Sequence, residues 1–128
     1  MPLVGRYADG WNAPIGMTPQ EIAGRLTIVR EACTRAGRPS CDIEVSAFLI
    51  LYSITDVPLA GPVSGFAARM LRGDRIQRSL LAGSSKGISQ KIQTYLDVGV
   101  NHIIMNVQPP YDPGLLRRFA KEVMPTFR

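Results

Sequence analysis

Residues 43 to 52 read Ile-Glu-Val-Ser-Ala-Phe-Leu-Ile-Leu-Tyr, and this stretch decides the fold class. It begins by alternating apolar and polar groups and becomes continuously apolar from Ala47 onward. A helix of that length would gather its apolar groups on one stripe, at spacings of three and four. Ten aliphatic-rich residues without such a stripe suit a strand buried on both faces. Parallel sheets covered by helices contain strands of this kind.

Upstream, Thr18-Pro19-Gln20-Glu21 has the composition of a helix start. Thr18 can serve as N-cap, Pro19 suits the first turn, and Glu21 completes a capping box. Ile22, Leu26, Val29 and Cys33 follow at spacings of four, three and four, which is one apolar helix face. Gly37 and Pro39 stop it, so a helix is predicted over 19–36. Residues 8–12, Ala-Asp-Gly-Trp-Asn, form a short candidate strand before it. Downstream, Pro58, Gly61, Pro62 and Gly65 make 56–65 a loop. Residues 66–81 read as helical, with Phe66, Met70, Ile76 and Leu80 as partial apolar support around an interrupting Gly73. Ser84 opens another helix, with Ile88, Ile92, Tyr95 and Leu96 inward and Gly99 at its end. Lys86 and Gly87 bring no acidic charge to its first turn, so a frayed start is expected. His102–Val107 is a short apolar strand. Asp112-Pro113 caps a last helix, with Leu115, Leu116, Phe119 and Val123 inward and Pro125 ending it. Strands alternating with helices indicate parallel βαβ units with right-handed crossovers. The expectation is an α/β fold forming a single domain over 1–128.

With 128 residues, 45% hydrophobic and 20% charged, the chain has the composition of a globular domain and not of a disordered one. No run approaches the roughly 18 apolar residues needed to span a bilayer. Met1 to Trp11 shows no basic-then-apolar leader pattern. A soluble cytoplasmic protein with no membrane partner is expected. Cys33 and Cys41 are the only cysteines and lie in no CxxC or Cys/His cluster, so two free thiols are expected and no metal site. The net charge of +5 is diffuse except at Arg69, Arg72, Arg75 and Arg78, which recur every third residue. A solvated helix face accounts for that row. No aromatic residues are interleaved there for base stacking, so nucleic acid is the least favoured partner.

Four further pieces carry a family resemblance. They are Gly5-Arg6-Tyr7-Ala8-Asp9-Gly10-Trp11-Asn12, Ala36-Gly37-Arg38-Pro39, Gly83-Ser84 through Ile88 with Tyr95 to Ile104, and Leu116 to Pro125. In order and spacing they resemble the end of the luciferase-like monooxygenase family, which covers nearly the whole chain. The resemblance implies a partial TIM barrel: the last three parallel strand–helix units, sixth to eighth, with an inserted helical segment. It implies reduced flavin mononucleotide (FMN) or a deazaflavin as cofactor, and oxygen insertion or hydride transfer as the reaction. A full barrel needs eight strands and about 250 residues. This chain supplies three strands, and the family's main phosphate-binding turn would precede Met1. An isolated chain is therefore expected not to turn over substrate or hold the cofactor tightly by itself, and it is left open whether it is an enzyme.

In barrel enzymes functional groups lie at the C-terminal ends of strands. That rule selects Trp11 and Asn12, Tyr52 and Ser53, and Asn106 and Gln108. Trp11 offers an aromatic face to a flavin ring, with core packing as the alternative. Asn106 and Gln108 are candidates to hydrogen-bond a cofactor edge, with loop solvation as the alternative, and Asn12 is a further cofactor-binding candidate. His102, the sole histidine, starts its strand and reads as structural. Ser84-Ser85 beside Lys86 could hold a phosphate at a helix N-terminus, and an N-cap explains Ser84 equally well. No residue is assigned a catalytic role. The open edges of a three-strand slice would need covering, so self-association or docking on a homologous barrel chain is expected. A non-enzymatic assembly module, and nucleic-acid binding through the arginine row, are the alternatives to an oxidoreductase.

Overall fold

The computed structural model describes residues 1–38, 42–56 and 73–128. The order is α1 (Pro2–Tyr7), β1 (Gly10–Ala13), α2 (Pro19–Arg35), β2 (Glu44–Ile54), α3 (Asp74–Ser79), β3 (Leu80–Gly83), α4 (Ser85–Asp97), β4 (His102–Val107) and α5 (Pro113–Arg118). A π-helical turn, Phe119–Val123, and a 3-10 turn, Met124–Phe127, close the chain. Among the described residues, no helix is long and apolar enough to cross a membrane.

β2 is the spine of the sheet, and every pairing onto it is parallel. Gly10–Ala13 of β1 pairs with Glu44–Ala47, and β4 pairs with Ser46–Leu51. Ser46 and Ala47 thus have a neighbour on each side, which puts β1 and β4 on opposite edges. Leu80–Gly83 of β3 pairs with the far end of β2, from Ile50 to Ile54. Since Ile50 and Leu51 also pair with β4, β3 lies in line with β1 on the same edge. The expected side-by-side, co-directional arrangement of 8–12, 43–52 and 102–107 is present, with β1 shifted slightly to Gly10–Ala13.

Alternation along the strands sorts the side chains to two faces. Val45, Ala47, Leu49 and Leu51 of β2 point to one face. There they form a single buried core with Ala13 of β1, Ile22 and Leu26 of α2, and Ile88, Ile92 and Tyr95 of α4. Val123 of the closing turn is fully buried in the same core. The helices therefore cover the odd-numbered face of β2. Residues of even number, Ser46, Phe48 and Ile50, occupy the opposite face, which is the interior of a closed barrel.

The helix starts follow the local chemistry. Glu21 N donates to Thr18 Oγ1 at 3.3 Å and Thr18 N to Glu21 Oε2 at 2.7 Å, the reciprocal capping box. Ser84 Oγ accepts from Gly87 N at 3.1 Å, so α4 begins crisply at Ser85. The missing first-turn acid is replaced from a distance: the Glu122 carboxylate accepts a hydrogen bond from Ser85, placing negative charge at the helix's positive end.

Several expectations need correcting. Of the helix expected over 66–81, residues 66–72, including Phe66 and Met70, lie outside the described residues, as does most of the 56–65 loop. The helix that is present ends at Ser79, because Leu80 and Leu81 gain more by pairing with β2 as strand β3. Leu116, expected inward, is 44% exposed. The α-helical turn widens after Arg118, with Met124 N bonding Phe119 O, and that wider turn brings Val123 into the core. Pro125 sits inside the following 3-10 turn and does not end the segment. Cys33 is disulfide-bonded and not a free thiol; Cys41 lies outside the described residues. Tyr52 and Ser53 belong to β2, which runs on to Ile54.

Candidate functional site

The C-terminal ends of β2, β3 and β4 lie at one end of the sheet, whereas β1 ends level with Ala47, partway along β2. Two features give that end polar character. The first is at β2, where the pairing with β3 slips by one residue between Leu51 and Ser53. Such a bulge re-aims the side chains beyond it. Ile54 returns to the helix-side core, while Ser53, level with Ala82, turns to the opposite face. Its Oγ is buried with no hydrogen-bond partner. A buried hydroxyl normally finds one, and leaving it unpaired costs about 1–3 kcal/mol.

The second feature is at β4. Asn106 is level with Ile50 and so shares the opposite face with it. Gln108 follows the strand, and its Nε2 donates to Asn106 Oδ1. The two amides form one half-buried polar unit that still has spare donors and acceptors.

The other candidates lie elsewhere. Trp11 is on the helix side of β1, packed against both apolar clusters. Asn12 is exposed and level with Ser46 and His102. That row is four residues, roughly 13 Å, below the row of Asn106. His102 is at the N-terminal end of β4, with Nδ1 at 3.0 Å from Glu44 Oε1, and it lies remote from the polar end, in keeping with a structural role. Thus Asn106 and Gln108 are brought together, Trp11 and Asn12 point to opposite faces of β1, and Ser53 joins the amide pair at the same end. Ser53 was legible only as a strand-end residue; the bulge that re-aims it has no local sequence signal.

The closing segment is tied to this end. Arg118 Nη1 donates to Ile54 O at 2.6 Å. Its Nε and Nη2 grip Glu122 at 2.9 and 3.1 Å, which holds the Glu122 carboxyl below the usual carboxylate range. Lys91 Nζ donates to Leu80 O at 2.7 Å, and burial lowers its pKa. Ser84 is consumed as the N-cap, and Ser85 is engaged by Glu122, so this helix start is already supplied with an anion. No group of metal-ligating side chains occurs among the described residues.

A separate cleft of about 650 Å³ lies beside the Pro14–Thr18 turn, between α2 and α3, lined in part by Trp11, Glu21, Arg25, Arg75 and Arg78. The rest of the arginine row, Arg69 and Arg72, lies outside the described residues.

No protein-family model and no curated protein matches the chain. Solved structures do. The coenzyme F420-dependent tetrahydromethanopterin reductase from Methanopyrus kandleri aligns with 99% of this chain and 48% of its own length, at 18% identity and a TM-score of 0.68. An F420-dependent secondary alcohol dehydrogenase, in complex with an F420–acetone adduct, aligns with 99% of this chain and 45% of its own, at 16% identity and a TM-score of 0.73. The chain spans about half the length of each. What it shares with them is the fold: α/β, a partial TIM barrel made of parallel strand–helix units.

Proposed function

We propose that this chain forms the closing units of a luciferase-like, deazaflavin-dependent oxidoreductase barrel. One observation carries the reading: the parallel β1-β2-β4 order, with its helices on one face, superposes over 99% of the chain on two F420-dependent enzymes. Both are F420-dependent, which favours a deazaflavin over FMN. One is a reductase and the other a dehydrogenase, which favours hydride transfer over oxygen insertion. When bound, such a cofactor supplies a two-electron carrier that gives or takes a hydride at a ring carbon.

The residues at the C-terminal end of the sheet fit one edge of such a ring. Ser53 Oγ is a buried polar atom lacking a partner, and a heteroatom of the cofactor would satisfy it. The Asn106–Gln108 amide pair supplies donors and acceptors at the same end of the sheet. In this reading Ser53, Asn106 and Gln108 orient the cofactor, Trp11 packs the wall behind β1, and Asn12 stands away from it. Among the described residues no strand pairs with the outer edge of β1 or of β4. Further strands, from a longer homologous chain or a second copy, would meet those edges and complete the site. The isolated 128-residue chain is then expected to bind F420 weakly and to turn nothing over. A cytoplasmic location belongs to the same proposal.

Amide chemical-shift mapping with added F420 tests it. Shifts at Ser53, Asn106 and Gln108, with none at Asn12 or His102, are expected. Shifts confined to the His102 end, or none at millimolar F420, would end the proposal.

A further inference from the structure

We propose that the cleft between the Pro14–Thr18 turn, α2 and α3 binds a phosphate monoester carried on a flat apolar body. It lies by the helix side of β1, whereas the cofactor proposal uses the opposite face, and it does not depend on that proposal.

Charge comes first. Arg25, Arg75 and Arg78 line the cleft, with Glu21 the acidic residue among them. Glu21 is already committed: Oε2 accepts from Thr18 N at 2.7 Å, and Oε1 lies 3.8 Å from Arg78. Arg25 and Arg75 make no salt bridge within 4 Å among the described residues, and Arg75 acts on Glu21 only at longer range. Three guanidiniums against one carboxylate leave an excess that a dianion matches, and guanidinium forks fit phosphate oxygens in pairs.

The backbone that carries two of these exposed arginines is fixed by close contacts. Gly16 adopts φ +82°, and a Cβ there would sit 2.4 Å from Arg75 O. Its N–H donates to the Ser79 hydroxyl at 2.7 Å, in a buried bond. On the other side Tyr95 Oη donates to Met17 O at 3.1 Å. These contacts press α3 against the turn and fix where Arg75 and Arg78 emerge. The same cleft is also lined by Trp11, Met17 and Ile28, the last 40% exposed. A flat ring laid there would bury that surface while its phosphate meets the guanidiniums.

Trp11 is the chain's single tryptophan and lines the cleft, so its fluorescence reports occupancy directly. The probe is phenyl phosphate, titrated into the full chain with selective tryptophan excitation. Phenol and inorganic phosphate serve as arms for the body and the anion alone. Phenyl phosphate is expected to bind about tenfold more tightly than either, since the two contributions combine in one molecule. Arg25→Gln and Arg75→Gln should each weaken it about fivefold, the scale of a solvent-exposed ion pair. Arg117→Gln, exposed on α5 and outside the cleft, should leave it unchanged. Because Arg25 and Arg75 stand on different helices, a folding defect in one variant leaves the other informative. No saturable change at millimolar phenyl phosphate would overturn the proposal. So would equal weakening by Arg117→Gln, or displacement of phenyl phosphate by a far tighter single-stranded oligonucleotide, which would reassign the cleft to nucleic acid.

Discussion

Replacing Gly16 by alanine should be among the most damaging small substitutions in this chain, and the structure gives its size. Three costs combine. Gly16 sits at φ +82°, where an L side chain loses about 1 kcal/mol or more. The new Cβ would lie 2.4 Å from Arg75 O and 2.5 Å from Arg75 Cβ, with backbone and not a flexible side-chain tip in the way, so α3 must move. Overpacking of that kind costs roughly 1–3 kcal/mol. Moving α3 also breaks the 2.7 Å bond from Gly16 N to Ser79 Oγ, and Ser79 is 1% exposed. An orphaned buried hydroxyl costs about 1–3 kcal/mol. Together they come to about 3–7 kcal/mol, a large share of the 5–15 kcal/mol typical of a domain. Urea unfolding monitored by Trp11 fluorescence reads it as a midpoint lowered by roughly 2 M, given a slope of about 1–3 kcal/mol per molar. Gly24→Ala provides a control of opposite sign. A Cβ on Gly24 meets nothing within 4 Å, inside helix α2, so alanine should stabilise by about 0.5–1 kcal/mol. A Gly16→Ala variant within 1 kcal/mol of the parent, or two glycine variants shifting the same way, would refute the packing of α3 on the turn.

Other outcomes follow from single contacts. Leu49→Ala, at a fully buried site in the central strand, should cost about 3–5 kcal/mol in the same urea assay. Thr18→Ala removes half of the capping box and should cost about 1 kcal/mol. Thr18's hydrogen bonds, with a smaller pull from Arg78, hold Glu21's carboxyl below its usual value of 4.5. A depressed folded-state pKa means that its contribution is present above the unfolded value and fades as pH falls through the folded one. The stability gap between the parent and Glu21→Gln should therefore close on acidification below about pH 4.5. Ser53→Ala removes an unpaired buried hydroxyl, so it should leave the chain as stable or slightly more so. The same variant should weaken any F420 binding, read by the same shift mapping.

Much of this architecture was legible because it rests on local patterns. The Thr18–Glu21 capping box, the Ile22-Leu26-Val29-Cys33 stripe and the apolar run from Ala47 each encode one element without help from the rest of the chain. What escaped depends on distant partners. Leu80 and Leu81 fit a helix or a strand equally well by period, and only the exposed far end of β2 selects the strand. The start of α4 was expected to fray, since Glu122, which supplies its missing charge, lies in the closing turn. Trp11 and Asn12 are adjacent and looked alike as site candidates, yet strand alternation sends them to opposite faces, and nothing local says which face the helices cover. The unpaired Ser53 hydroxyl follows from a one-residue slip between β2 and β3, and such a slip leaves no mark on composition.

The account stands on β1 and β4 flanking β2 in parallel, and nuclear Overhauser contacts across the strands measure that directly. Amide contacts are expected from Asn12 to the Ser46 neighbourhood and from Ile104 to that of Phe48, with no close Hα–Hα pairs between the strands. Short Hα–Hα contacts between 44–54 and 102–107 would mean an antiparallel pair, and the barrel slice would be gone.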